Sequence, residues 1–190
     1  MNENKKISGK TVIIIIGIIV TIFLVIIPLY REYNLKKYCI YYAQHIPHAQ
    51  GTDPVLVMVG ANLHWINEPC PPEGQLYTYD EDGHTTLIIK ERNEQGEWVQ
   101  IGFFGGDTSD VYYTFWDSPS SNVSYAFDER GELELIEYDR KGAKNVFTEK
   151  EKEKAYKQTY SVVQRYIDCQ SFPIINLQGI FNRRYQSQFD

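Results

Sequence analysis

TVIIIIGIIVTIFLVIIPLY, residues 11–30, carries no charge and is bounded by Lys10 and Arg31. Nine of its 20 residues are isoleucine. At about 1.5 Å per residue, a helix of this length crosses the roughly 30 Å hydrocarbon core of a bilayer. A lone span in lipid must satisfy its own backbone groups, so helix is the expected form. Gly17 and Pro28 fit that form: glycine is common in membrane helices, and Pro28 stands near the end. A buried core helix would rarely be so uniformly apolar.

The flanks bear on cleavage and orientation. A secretory signal has a shorter apolar region with small residues before the cut. Here the run ends in Pro28-Leu29-Tyr30-Arg31-Glu32-Tyr33, and no Ala-x-Ala pattern follows. Cys39 follows Lys36-Lys37-Tyr38, not the small residues of a lipoprotein signal. The expectation is an uncleaved signal anchor. Lys5, Lys6 and Lys10 precede the run and Arg31, Lys36 and Lys37 follow it, so the positive-inside comparison is close to a tie. The amino tail is short, and long domains translocate largely regardless of charge. Residues 1–10 are therefore expected in the cytoplasm, 11–30 in the cell membrane, and 31–190 outside as one domain.

After an Ile/Val-rich run, Ile27-Pro28-Leu29-Tyr30-Arg31-Glu32-Tyr33 resembles the N-terminal helix of type IV pilins, which carry Ile-Pro-x-Tyr-x-x-Tyr at a similar place. The resemblance covers about seven residues. Pilins have a glycine followed by Phe-Thr and a glutamate inside the run. Here Gly9 is followed by Lys10-Thr11-Val12, and the run holds no acid. The resemblance implies a structural component of an envelope or pilus-like assembly.

Composition bounds the rest. Of 19 basic and 25 acidic residues, 16 and 24 fall in 31–190, a net charge of −8. A segment of that size can bury one ordinary core. Its acidity argues against nucleic acid, which wants a basic face, and against lying on anionic lipid. Fifteen tyrosines give apolar contact area with a polar tip, a composition suited to sheets and interfaces. Cys39, Cys70 and Cys169 are too widely spaced for a zinc knuckle. Outside the membrane two of them could bond, and Cys70 with Cys169 is the pairing chosen; three buried thiols are the alternative.

Along the chain, Tyr30, Asn34, Tyr38 and Tyr42, with Leu35, Cys39 and Ala43 beside them, keep helical spacing, so a stalk helix is expected from Arg31 to His45, stopped by Pro47. Gly51-Thr52-Asp53-Pro54 reads as a turn, and Val55 to Val59 as a short apolar strand. Asn67 to Gly74, with three prolines, reads as a rigid loop. Strands follow at Gln75–Tyr79, Thr85–Glu91, Trp98–Phe104, Val111–Trp116, Val123–Phe127 and Glu132–Tyr138. Turn-forming clusters such as Glu81-Asp82-Gly83 and Asp128-Glu129-Arg130-Gly131 separate them, which predicts an antiparallel meander. Thr148-Glu149-Lys150-Glu151 has the form of a capping box. Tyr156, Tyr160, Val163 and Ile167 then keep helical spacing, and Ile174–Tyr185 is expected to add a short helix. The fold class is α+β: a transmembrane helix continuing into a stalk, an antiparallel meander, and a C-terminal helix packed on one face.

Chemistry is thin. His45 and His48 are three apart, but Pro47 lies between them and no companion ligand is evident. Asp80-Glu81-Asp82-Gly83 lacks the third acid and distal glutamate of a calcium loop. No lysine or helix start follows Gly105-Gly106-Asp107, so it is no phosphate loop. Ser118–Ser124 has no nucleophile-elbow pattern, and Cys169 no evident histidine partner. No cofactor and no metal are expected, nor enzymatic activity. What stands out is a surface: Tyr112, Tyr113, Phe115 and Trp116 sit among Asp107, Asp110 and Asp117. Aromatics rimmed by acids suit a protein partner with a basic patch. Strand alternation allows only Tyr112/Thr114/Trp116 or Tyr113/Phe115 to face it. The candidate binding residues are Asp107, Asp110, Tyr112, Trp116 and Asp117. A short anchor carrying one acidic sheet-and-helix domain is similar in architecture to membrane-anchored immunity proteins of bacterial toxin systems, which neutralise a toxin arriving outside the membrane. The expected function is non-catalytic protein binding. A structural envelope component and an envelope enzyme are the alternatives.

Overall fold

The computed structural model describes residues 9–62, 65, 75–79, 85–92, 98–103, 111–118, 121–138 and 142–190. Gly9–Lys37 is one continuous helix of 29 residues, long and apolar enough to cross a membrane. It comprises α1 (Gly9–Thr21), a π-helical turn (Ile22–Ile26) and α2 (Ile27–Lys37). The π turn has a local cause. Pro28 has no N–H and its ring presses on the carbonyl four residues back, so the chain widens ahead of it. The Ile27 N–H accordingly donates to Ile22 O, five residues earlier.

The stalk is not one straight helix to His45. It breaks at Tyr38 (φ −110°, ψ 24°), and a short α3 (Cys39–Ala43) follows. Cys39, Ile40, Tyr42 and Ala43 are all buried and share one side of this short helix, while Tyr41 on the other side is half-buried.

Val55–Val59 is helix, not strand: α4 spans Pro54–Ala61. Asp53 caps it, its carboxylate accepting from Leu56 N at 3.2 Å, and Pro54 starts it with a preset φ. Pro54 to Gly60 are all buried, so the helix has no polar face, and a short apolar run carries no period that separates strand from helix. It lies directly on the sheet. A Cβ at Gly60 would stand 2.5 Å from Val111 Cγ1.

The sheet is the expected meander. Among the described residues it has seven antiparallel strands in sequential order: β1 (Gln75–Tyr79), β2 (Thr85–Arg92), β3 (Trp98–Phe103), β4 (Val111–Ser118), β5 (Ser121–Phe127), β6 (Leu133–Tyr138) and a short, unanticipated β7 (Gly142–Lys144). The β5–β6 turn is closed by Asp128, whose carboxylate accepts from Arg130 N and Glu132 N at 2.9 and 2.8 Å. Gly131 completes it at φ +77°, where a Cβ would meet Asp53 O at 2.3 Å. Asp53 N donates to Arg130 O at 2.8 Å, so this hairpin seats the start of α4.

Two helices close the fold. α5 (Glu149–Asp168) begins with the expected capping box, Thr148 and Glu151 each bonding the other's backbone N–H. Lys144 and the cap bonds hold the Glu151 carboxyl down at about 2. Ala155, Thr159, Val162, Val163 and Tyr166 form its buried stripe. α6 (Gln178–Phe189) starts later and ends later than the expected 174–185, and buries Phe181 and Phe189. The expected Asn67–Gly74 loop and the Glu81–Gly83 turn lie outside the described residues.

Candidate partner-binding face of the sheet

Alternation along β4 divides its aromatic residues between two faces. Val111, Tyr113 and Phe115 are buried. Tyr113 Oη donates to Leu56 O on α4 at 3.2 Å, and burial pushes this phenol well above its ordinary pKa. On β5, Tyr125 and Phe127 share that face: Tyr125 Oη donates to Gln158 of α5, and the Phe127 ring lies 5.3 Å from that of Tyr156. Helices α4 and α5 therefore cover the Tyr113/Phe115 side, which is core.

The opposite face carries Tyr112 and Thr114, both half-buried. Register sets Tyr112 against Gly102 and Ala126, and Thr114 against Gln100 and Ser124. The Thr114 and Ser124 hydroxyls are 3.0 Å apart, a polar cross-strand pair at home near water. Trp116 continues the same register, opposite Trp98 and Asn122. Asp117 follows where the register shifts between Trp116 and Ser118. Bulges of this kind re-aim a strand's residues. Of the five sequence-derived residues, Tyr112, Trp116 and Asp117 thus lie on β4. Asp107 and Asp110 lie outside the described residues.

A second feature escaped the sequence reading. A cleft of about 500 Å³ is lined by Gly51, Thr52, Asp53, Glu132, Leu133, Glu149, Lys152, Glu153 and Tyr156. Of these, Asp53 accepts from Tyr160 Oη, which donates to its two carboxylate oxygens at 3.0 and 2.8 Å. Burial raises the Asp53 pKa against the lowering effect of Tyr160 and the cap bonds. Tyr156 Oη donates to Gly131 O at 3.0 Å, and burial pushes that phenol up to about 12. Asp53 is thus a structural carboxyl, joining α4, α5 and the β5–β6 hairpin. The available signals were Asp-Pro ahead of an apolar run, a helix start, and tyrosines four apart on α5.

The remaining candidates are dispersed. His45 Nδ1 lies 2.6 Å from Tyr41 O, and His48 Nδ1 lies 3.1 Å from Ala49 O and 3.2 Å from Thr52 Oγ1. Among the described residues no group of three or more His, Cys, Asp or Glu could hold a metal ion. Cys39 is a free, buried thiol pushed up to about 12 by burial. Cys169 is disulfide-bonded. Cys70 lies outside the described residues. No protein-family model, no curated protein and no solved structure matches this chain.

Proposed function

We propose that this chain is a single-pass, membrane-anchored, non-catalytic binding protein whose domain faces outside the cytoplasm and meets a basic protein partner. The observation that carries the reading is the division of β4: Tyr113 and Phe115 are buried beneath the helices, while Tyr112 and Thr114 alternate with them and are only half-buried. Three features support it. The Gly9–Lys37 helix has the length and composition of an anchor. A disulfide at Cys169 suits an oxidising compartment. The −8 charge of residues 31–190 favours steering toward a basic surface. An immunity protein that intercepts a toxin outside the membrane has this design, and that is the class of partner we name.

The test starts with crosslinking from the full-length protein in membranes to identify the partner, then measures both rate constants. Truncating Tyr112 or Trp116 to alanine should weaken binding by about 2 kcal/mol or more, mostly through faster dissociation. Replacing Asp107, Asp110 and Asp117 with asparagine should slow association and flatten its salt dependence. If both sets bind like the parent while remaining folded, the site lies elsewhere.

A further inference from the structure

The connection between α5 and α6 leaves its largest apolar side chains in the open. Phe172 is 79% exposed, Ile174 94% and Ile175 51%. The loop's backbone is nonetheless tied to the helix at Ile175. Ile175 O accepts from Asn34 Nδ2 at 3.2 Å and from Tyr42 Oη at 3.4 Å. Leu177 N donates to Tyr42 Oη at 3.1 Å. Asn34 Nδ2 also lies 3.5 Å from Tyr30 Oη. The loop is thus clamped from behind by polar groups at Ile175, with the Phe172 ring edge-on to Tyr41 at 5.8 Å and the Ile174 side chain almost fully exposed.

The clamp is placed one helical turn beyond Tyr30, where the uncharged run ends. Helical side chains lean toward the N-terminus, so Asn34 holds the loop back toward the end of that run. The surroundings have the composition of a membrane–water boundary. Tyr30 and Tyr33 are exposed, and the Tyr33 ring meets Trp65 edge-on at 6.0 Å. Lys36 Nζ sits 5.2 Å from the Trp65 ring centroid. Arg31 and Arg184 both pair with Glu32, at 3.1 and 2.7 Å. Aromatic rings and cations gather where a membrane helix leaves the hydrocarbon.

From this geometry we infer that the Phe172-Pro173-Ile174-Ile175 loop is a second membrane contact, its side chains sunk into the interfacial layer of the leaflet from which the helix emerges. The inference rests on the anchor reading above and goes beyond it: the domain is seated on the bilayer at a fixed height and angle. The occupant is lipid because the loop is continuous with the exit of the apolar helix. The Ile175 carbonyl is already bonded within the protein, as a lipid-facing group requires. The domain's net acidity disfavours an anionic surface, but insertion here is apolar, and the nearby charges at the helix exit are Lys36 and the Arg31–Glu32–Arg184 cluster.

The test uses the full chain in vesicles of equal phosphatidylcholine and phosphatidylglycerol carrying a nitroxide lipid. An environment-sensitive fluorophore is placed on Ile174→Cys, on Val20→Cys within the helix, and on Lys157→Cys, exposed on α5. The labelled parent corrects for Cys39, which is buried. An apolar side chain sinks about 5–10 Å into the headgroup boundary, so emission at 174 should shift to the blue and fall by about half. Emission at 20 should also be quenched, and 157 should be unaffected. If 20 is quenched while 174 behaves like 157, the loop inference fails and the anchor stands. If neither 20 nor 174 is quenched, both fail. A probe at 174 that stays in water until a membrane extract is added would assign the loop to a protein and overturn the inference.

Discussion

Asp53 shows how one side chain fixes three elements. It caps α4, receives the Tyr160 hydroxyl from α5, and through its backbone bonds the β5–β6 turn. Burial raises its pKa above the unfolded value. The stability linked to that shift is fully present below the ordinary carboxylate range, about 4, and is lost as pH rises through the raised folded value. Asp53→Asn keeps an oxygen for the cap and for Tyr160 but removes the buried charge. We expect the asparagine variant to show a flatter stability profile over that window and to match or exceed the parent at neutral pH. Asp53→Ala should lose about 1–2 kcal/mol, because it strands the Leu56 N–H and the Tyr160 hydroxyl. Denaturant unfolding of the full chain in detergent across pH checks both. An asparagine variant that falls with pH like the parent would acquit this carboxyl.

At the scale of elements, the buried link from helix to domain is polar. Asn34 is fully buried in a stripe otherwise read as tyrosine and aliphatic, and Tyr42 Oη donates to its Oδ1 at 2.6 Å. Asn34→Leu fills the space but removes that acceptor, so it should cost about 1–3 kcal/mol. It should also speed hydrogen exchange at the Leu177 amide, whose acceptor is Tyr42 Oη. Exchange as slow as in the parent would show that the loop is held by other contacts. The spacing of Tyr30, Asn34, Tyr38 and Tyr42 was legible, but the break at Tyr38 was not. A stripe says which residues share a face, not that the core turns to meet them. Val55–Val59 misled for a related reason: β-branched residues favour strands on average, and burial on every side overrode that preference. The capping box at Thr148 was legible because its donors and acceptors lie within three residues of each other.

For the whole molecule, the meander was legible because its strands neighbour each other in chain order, so each local turn fixes the next pairing. The candidate binding face was only half legible. Alternation defined two sets of residues on β4, but the choice between them depends on α4, and the deciding contact joins Tyr113 to Leu56, 57 residues away. Orientation across the membrane is a property of the whole chain, and here the flanking charges nearly cancel. Cys169 supplies an independent lead. It is disulfide-bonded, whereas Cys39 is a free thiol. A cytosolic domain would be held reduced, whereas one outside keeps its disulfides. We therefore expect a reporter fused after Asp190 to be active only outside the cytoplasm, and the mature chain to retain residues 1–30. Peptide mapping without reductant should recover Cys70 joined to Cys169, with Cys39 alkylated only after unfolding. A soluble form beginning after residue 30 would refute the anchor. A reporter active in the cytoplasm, together with fully alkylated Cys70 and Cys169 in freshly lysed cells, would reverse the orientation and remove the outside partner with it.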